Sequence, residues 1–216
     1  MHKNAKKLIM GLFVASSIVI LPVVGNMAIL RAPHLWILIL IGLLGSLFQP
    51  QYNPFKQSPN DKDKGTANQI IWTIYISQLA AILEASYFRY PESVSWNVLT
   101  TIALLLMIAG LFIRSWAVFT LDNYFTWHIT VQKDQKVIRS GPYAYIRHPG
   151  YFGAFITYVS TALFLHAWFS LALSAVILPA AFIRRIHHEE AELKKSLGAE
   201  YESYSGSVKR FIPGIW

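Results

Sequence analysis

The chain contains no cysteine, which excludes disulfide bridges and thiolate metal sites. Charge is scarce as well: charged residues make up 14% of the chain against 54% hydrophobic, and the apolar residues lie in blocks without amphipathic spacing, which excludes a soluble globular domain. No internal repeat is present, so an inverted-repeat transporter gains no support. The first apolar run follows Lys3, Lys6 and Lys7 but reaches Leu30 without a small-x-small cleavage site, so it reads as a retained span.

What the sequence has instead is long charge-free runs. Residues 8–30, 35–48 and 93–113 carry no charge, residues 69–88 carry only Glu84, and Gly150 to Ile183 again carry none. As one straight helix the last run would be roughly 50 Å long against a hydrocarbon core of about 30 Å, so it must fold back as a hairpin. The reading is an all-α, polytopic integral membrane bundle of six spans, with spans 5 and 6 as the hairpin and a small cytosolic cap. With the N-terminus in the cytoplasm, sixteen of the nineteen basic residues collect on the inner side. Both termini are then cytoplasmic. The formal charge of +8 is accounted for by orientation and by contact with membrane lipid headgroups, with no nucleic-acid partner.

Residues 49–68, rich in Pro, Asn, Gln, Lys and Asp, read as a solvated loop with no assigned chemistry. The remaining polar pieces lie at 121–149 and 184–216. In the first, Trp127, Ile129 and Val131 alternate with His128, Thr130 and Gln132, which suggests a short hairpin or extended segment. Gly141-Pro142 then breaks the chain, and Pro149 falls where the first turn of span 5 begins. The free N–H groups of that turn, joined by Arg147 and His148, suit a carboxylate or phosphate. Arg and His at a span end serve orientation, and Tyr143, Tyr145 and Tyr151 serve an aromatic belt. Two Pro, three Gly, three Tyr, Arg and His within Gly141–Gly153 exceed what anchoring requires.

In the second piece, span 6 continues past the membrane to Leu197, with Gly198 as C-cap. Glu189 lies near the membrane face, where a carboxylate needs a partner, and Glu190 is one turn from Lys194. His187, His188, Glu189 and Glu190 diverge by about 100 degrees per residue and do not share one ion, so no metal is expected. Glu84 faces the bundle interior or pairs with Arg89. His166 reads as a turn residue.

From Arg114 through Leu121-Asp122-Asn123-Tyr124-Phe125-Thr126, Gly141-Pro142-Tyr143, Arg147-His148-Pro149, Tyr151, Gly153, Arg185, Glu189-Glu190, Gly198, Glu200-Tyr201, Tyr204 and Phe211-Ile212-Pro213, the chain resembles the isoprenylcysteine carboxyl methyltransferase family. Related phospholipid N-methyltransferases share this C-terminal core. The resemblance covers about residues 110 to 213. It implies a single membrane domain, 1–216, with N-terminal spans over 1–109 and a methyltransferase-like core over 110–216. It implies S-adenosylmethionine held by Tyr143, Arg147, His148, Pro149, Tyr151, Gly153, Glu189 and Glu190. A lipophilic small-molecule or lipidated acceptor is then expected from the bilayer. Arg114, Arg185 and Glu189 are the catalytic candidates: either arginine suits a carboxylate acceptor, whereas an amine acceptor needs a base such as His148 or Glu189. In length the chain looks like the smaller prokaryotic relatives, which implies an inner (plasma) membrane. An NADPH-dependent reductase with a related core, and a non-enzymatic membrane module, are the competing classes.

Overall fold

A computed structural model of the protein describes residues 2–49, 52 and 63–212. It is all-α among those residues. The helices are α1 (His2–Ile20), α2 (Pro33–Phe48), α3 (Thr66–Tyr87), α4 (Val98–Leu121), α5 (Pro149–Phe164), α6 (Trp168–Leu197) and α7 (Ala199–Ser207). Their ends follow local chemistry. Pro occupies the first turn of α2 and α5, where its missing N–H costs nothing. The Asn97 side chain accepts from Thr100 N at 3.0 Å to cap α4. Gly198, at φ 54°, ends α6 and donates to Lys194 O at 2.9 Å.

The six-span count is corrected. Among the described residues, four helical stretches are long and apolar enough to cross a membrane: Leu8–Arg31, Thr66–Tyr87, Val98–Tyr124 and Trp168–Leu197. The first runs from α1 into a 3-10 stretch, Leu21–Arg31, kinked at Asn26 (φ −142°, ψ 68°). Helices α2 and α5 have 16 residues each, which gives about 24 Å against a core of about 30 Å. Absence of charge marks where a chain tolerates lipid, but helix length decides whether it crosses. The fold-back at 165–167 is present, and α5 and α6 form a helical hairpin, though only α6 is of spanning length.

Polar residues at the far end act as joints between helices. Both oxygens of Glu84 accept from the first turn of α6: Oε1 from Phe169 N at 3.1 Å and Oε2 from Ser170 N at 2.7 Å. Arg89 Nε lies 3.5 Å from Oε1. Glu84 is thus an N-cap supplied by a neighbouring helix, where a negative charge meets the positive dipole end. His166, at φ 48°, fills the α5–α6 turn, its ring within 3.0 Å of both Glu92 O and Thr100 Oγ1.

Helices α4 and α5 approach most closely through Gly110 and Gly153. A Cβ on Gly153 would stand 2.5 Å from Gly110 O and 2.6 Å from Arg114 N, and both neighbours are backbone. Gly153→Ala is therefore expected to lower stability by about 2 kcal/mol, the usual scale of overpacking. Thermal melting in detergent checks this, with Gly206→Ala, where a Cβ meets nothing within 4 Å, as the neutral control.

Candidate active site

The starts of α3 and α5, the end of α4 and the C-terminal half of α6 meet at one end of the bundle around a single large cavity. Its space, counted out through the open mouth, is about 1420 Å³. Part of its lining comes from the 126–139 segment, the end of α6 and α7, through Ile129, Val131, Val137, Ile138, Leu193, Leu197, Tyr201 and Tyr204. Another part comes from α3, α5 and α6, through Ala67, Ile70, Ile71, Ile74, Tyr158 and Phe182. Arg114, Tyr143, Arg147, His148, Gly150, Tyr151, Arg185 and Glu189 line it as well.

Of the two forms expected over 127–138, a short hairpin or an extended segment, the hairpin is absent: the segment runs without strand pairing among the described residues. It is held from outside instead. Val137 N donates to Glu200 Oε1 at 3.1 Å, Arg139 Nη2 to Glu200 O at 3.1 Å, and the Arg139 guanidinium lies 5.7 Å from the Tyr204 ring centroid. The 126–139 segment, latched to α7, thus forms one wall of the cavity.

The Gly141–Gly153 segment is fixed by the C-terminal tail. Arg147 N donates to Lys209 O at 2.8 Å and His148 N to Arg210 O at 3.1 Å. Glu190, 4% exposed, binds the cations behind this segment: Oε1 accepts from Arg147 Nε at 2.8 Å and lies 3.1 Å from His148 Nε2. Its Oε2 accepts from Arg210 Nη2 at 2.8 Å and Nε at 3.1 Å. Arg147 also donates to the carbonyls of Ser205 and Val208. Glu190 therefore meets Arg147, His148 and Arg210 rather than Lys194, and stands behind the cavity wall.

Glu189 faces the cavity, with its side chain 30% exposed. Its Oε2 accepts from Tyr151 Oη at 2.7 Å, and Oε1 makes no hydrogen bond among the described residues. The rings of His148, Tyr151 and Phe182 stack in sequence, with centroids 5.8 and 5.5 Å apart. Burial, aided by the nearby Glu189 charge, pushes the Tyr143 phenol up, and burial does the same for Tyr201. The Tyr204 phenol is pushed up to about 12 by burial, against which the Arg147 charge acts. These phenols stay protonated at neutral pH and are not bases, and two of them donate: Tyr204 Oη to Tyr143 O at 2.7 Å and Tyr143 Oη to Ala117 O at 3.3 Å.

The two candidate arginines differ. Arg185 has Nε on Tyr151 Oη at 3.2 Å, Nη1 on Asp63 Oδ1 and on Thr66 Oγ1 at 2.9 Å, and Nη2 on Trp127 O at 2.8 Å. Arg114 has only neutral partners: Nε donates to Gln49 Oε1 at 2.8 Å, Nη1 to Gly150 O at 3.0 Å, and the guanidinium lies 5.7 Å from the Trp127 ring centroid. Its Nη2 makes no hydrogen bond among the described residues. Gln49, Asp63, Trp127 and Arg210 were missed at the sequence level. Each acts across a large sequence separation, and only the drop in hydrophobicity at 49 and 63 marked those regions as polar.

The donor set suits S-adenosylmethionine. Arg147, His148 and the first turn of α5 match an amino-acid carboxylate, and Glu189 Oε1 matches an ammonium or ribose hydroxyls. The apolar lining from Ile129, Val131, Leu193 and Leu197 matches an adenine ring, and stacked aromatic faces attract a sulfonium.

Residues 101–195 match the model of the isoprenylcysteine carboxyl methyltransferase (ICMT) family. A probable protein-S-isoprenylcysteine O-methyltransferase of Oryza sativa subsp. indica is 33% identical over 151 residues, 69% of this chain and 78% of the relative. The protein-S-isoprenylcysteine O-methyltransferase of Dictyostelium discoideum is 31% identical over 166 residues, 76% of this chain and 69% of the relative. The fold resembles a solved eukaryotic intramembrane Ras methyltransferase ICMT, with TM-score 0.63 and 23% identity over 98% of this chain and 75% of that one. These relatives are eukaryotic and give the expected prokaryotic-type member no support. By this sequence similarity, the chain belongs to the isoprenylcysteine carboxyl methyltransferase family.

Proposed function

We propose that the protein transfers a methyl group from S-adenosylmethionine to the free carboxylate of an isoprenylcysteine-like lipophilic acceptor. The observation that carries this reading is a cavity lined both by polar groups, Arg114, Arg185 and Glu189 among them, and by apolar side chains of α3, α5 and α6. When bound, S-adenosylmethionine supplies a methyl group activated by its sulfonium. Arg147 and His148, at the start of α5, would hold its carboxylate, with Glu189 on the ammonium or ribose hydroxyls and Tyr143 and Tyr151 beside them. Pro149 sets where α5 begins, Gly153 lets α4 come close enough to bring Arg114 to Gly150 O, and Glu190 fixes Arg147 and His148 from behind.

A carboxylate with a pKa near 3.5 is ionised at neutral pH, so no residue has to remove a proton from it. The protein's task is to hold that charge, align the oxygen and exclude water. Arg114 is the cation for it, because its partners are neutral, whereas Arg185 is engaged by Asp63, Tyr151 and Trp127. Residues 110–216 form the catalytic core, and α3 adds the acceptor wall. The prenyl chain, free or on a lipidated partner, enters from the bilayer between α3, α5 and α6. The end that holds the cavity faces the cytosol with both termini, in keeping with the basic residues gathered there.

Calorimetric titration of the detergent-solubilised protein with S-adenosylmethionine and with NADPH tests the reading. Saturable binding of S-adenosylmethionine, weakened about tenfold or more in Glu189→Ala by loss of a charge-assisted contact, is the expected result. Binding of NADPH alone would favour a reductase and sink the proposal.

A further inference from the structure

We propose that Asp63, in the connection between α2 and α3, is a positioning residue for methyl transfer: it neutralises Arg185 so that Arg114 alone is left to hold the acceptor carboxylate. This rests on the methyltransferase reading above and adds to it a residue outside the 110–216 core. Asp63 is 3% exposed. Its Oδ1 accepts from Arg185 Nη1 and, at 3.2 Å, from Thr66 Oγ1, while Oδ2 accepts from Ala67 N at 3.3 Å in the first turn of α3. A carboxylate placed there is held by a helix N-terminus and aimed at one guanidinium.

The consequence reaches the acceptor site. Arg185 and Arg114 both line the cavity; without Asp63, Arg185 keeps only the longer ion pair of its Nε with Glu189 Oε2, at 3.8 Å, and would offer a carboxylate a second anchor that is not aligned with the transferring methyl. With Asp63 in place, Arg185 also clamps Trp127 O at 2.8 Å, and Arg114 lies against the Trp127 ring. Tyr52, near the other end of the same connection, packs on Trp127 and His128 with ring centroids 5.2 and 5.7 Å away. His128 Nδ1 stands 3.7 Å from Asp63 Oδ2. Tyr52 and Asp63 thus grip the loop against which Arg114 rests.

The test is a double-mutant cycle in the full chain, read as kcat, acceptor KM and cofactor Kd with an N-acylated S-prenylcysteine as acceptor. Asp63→Asn is expected to lower kcat about tenfold with acceptor KM unchanged or reduced, because misaligned binding competes. In an Arg185→Gln background the same change should alter kcat less than about twofold, as for residues acting as one unit. Asp63→Glu should recover most of the loss, and cofactor Kd should move little. Equal losses in both backgrounds, a raised acceptor KM with unchanged kcat, or wild-type kinetics in Asp63→Asn would overturn the assignment. If Asp63→Asn is too unstable to assay, the Asp63→Asn/Arg185→Gln double variant decides: folding restored by removing both charges supports the pairing, and continued unfolding counts against it. Absence of transfer by the wild type would strike the methyltransferase reading itself, whereas normal wild-type transfer with an unaltered Asp63→Asn strikes only the role of Asp63.

Discussion

Glu190→Ala is expected to cost about 3 to 5 kcal/mol of stability, the scale for breaking a buried ion pair from one side, and to abolish cofactor binding. The carboxylate touches Arg147, His148 and Arg210, and its loss leaves Arg147, whose side chain is 9% exposed, as a charge facing carbonyls alone. The damage propagates because Glu190 ties α6 to the α5 start and to the C-terminal tail at once. With the tail loose, the backbone bonds from Arg147 and His148 to Lys209 and Arg210 weaken together. Thermal melting and calorimetry with S-adenosylmethionine check both parts. Glu190→Gln keeps an acceptor but not the charge and should fall between wild type and Ala. A Glu190→Ala variant that melts like wild type would show that Arg147, His148 and Arg210 find other partners.

Arg114→Ala is expected to lower kcat/KM for a carboxylate acceptor about 100-fold, or ~3 kcal/mol, the usual loss when one partner of a desolvated charge pair is truncated. Cofactor Kd should change little, since Arg147, His148 and Glu189 remain. Arg114→Lys keeps the charge but cannot donate to Gln49 and Gly150 in the same fork, so most of the loss should persist. The contrast with Arg185→Gln is informative: that change should reduce kcat through the displaced Tyr151 and Trp127, with a smaller effect on acceptor affinity. Steady-state kinetics of the three variants separates binding from alignment. An Arg114→Ala enzyme with unchanged acceptor KM and kcat would remove Arg114 from the site.

The Gly141–Gly153 segment and the Arg185–Glu189 turn were legible because their residue types are dense and local, and the hairpin length brings them together. What the segment hides is which partners are its own. His148 and Arg147 pointed to a ligand, yet each also leans on Glu190 from behind, a contact set by how α5 packs on α6. Glu189 and Glu190 are neighbours in sequence but diverge around the helix, so one faces the cavity and the other the tail. The six-span count does not hold because charge-free length is not helix length: α2 and α5 have 16 residues each, short of the roughly 20 that a crossing needs. Asp63 was invisible for the opposite reason. It sits in a stretch whose composition reads as solvated loop, and only the tertiary fold buries its carboxylate on Arg185, 122 residues away.

The most direct test supplies labelled S-adenosylmethionine and compares an N-acylated S-prenylcysteine bearing a free carboxylate with the same compound as its amide. A base-labile methyl ester on the acid, no label on the amide, and loss of transfer in Arg114→Ala are the results this account requires. Label on the amide or on an amine acceptor in preference to the acid, or no transfer by protein that binds the cofactor, would contradict it.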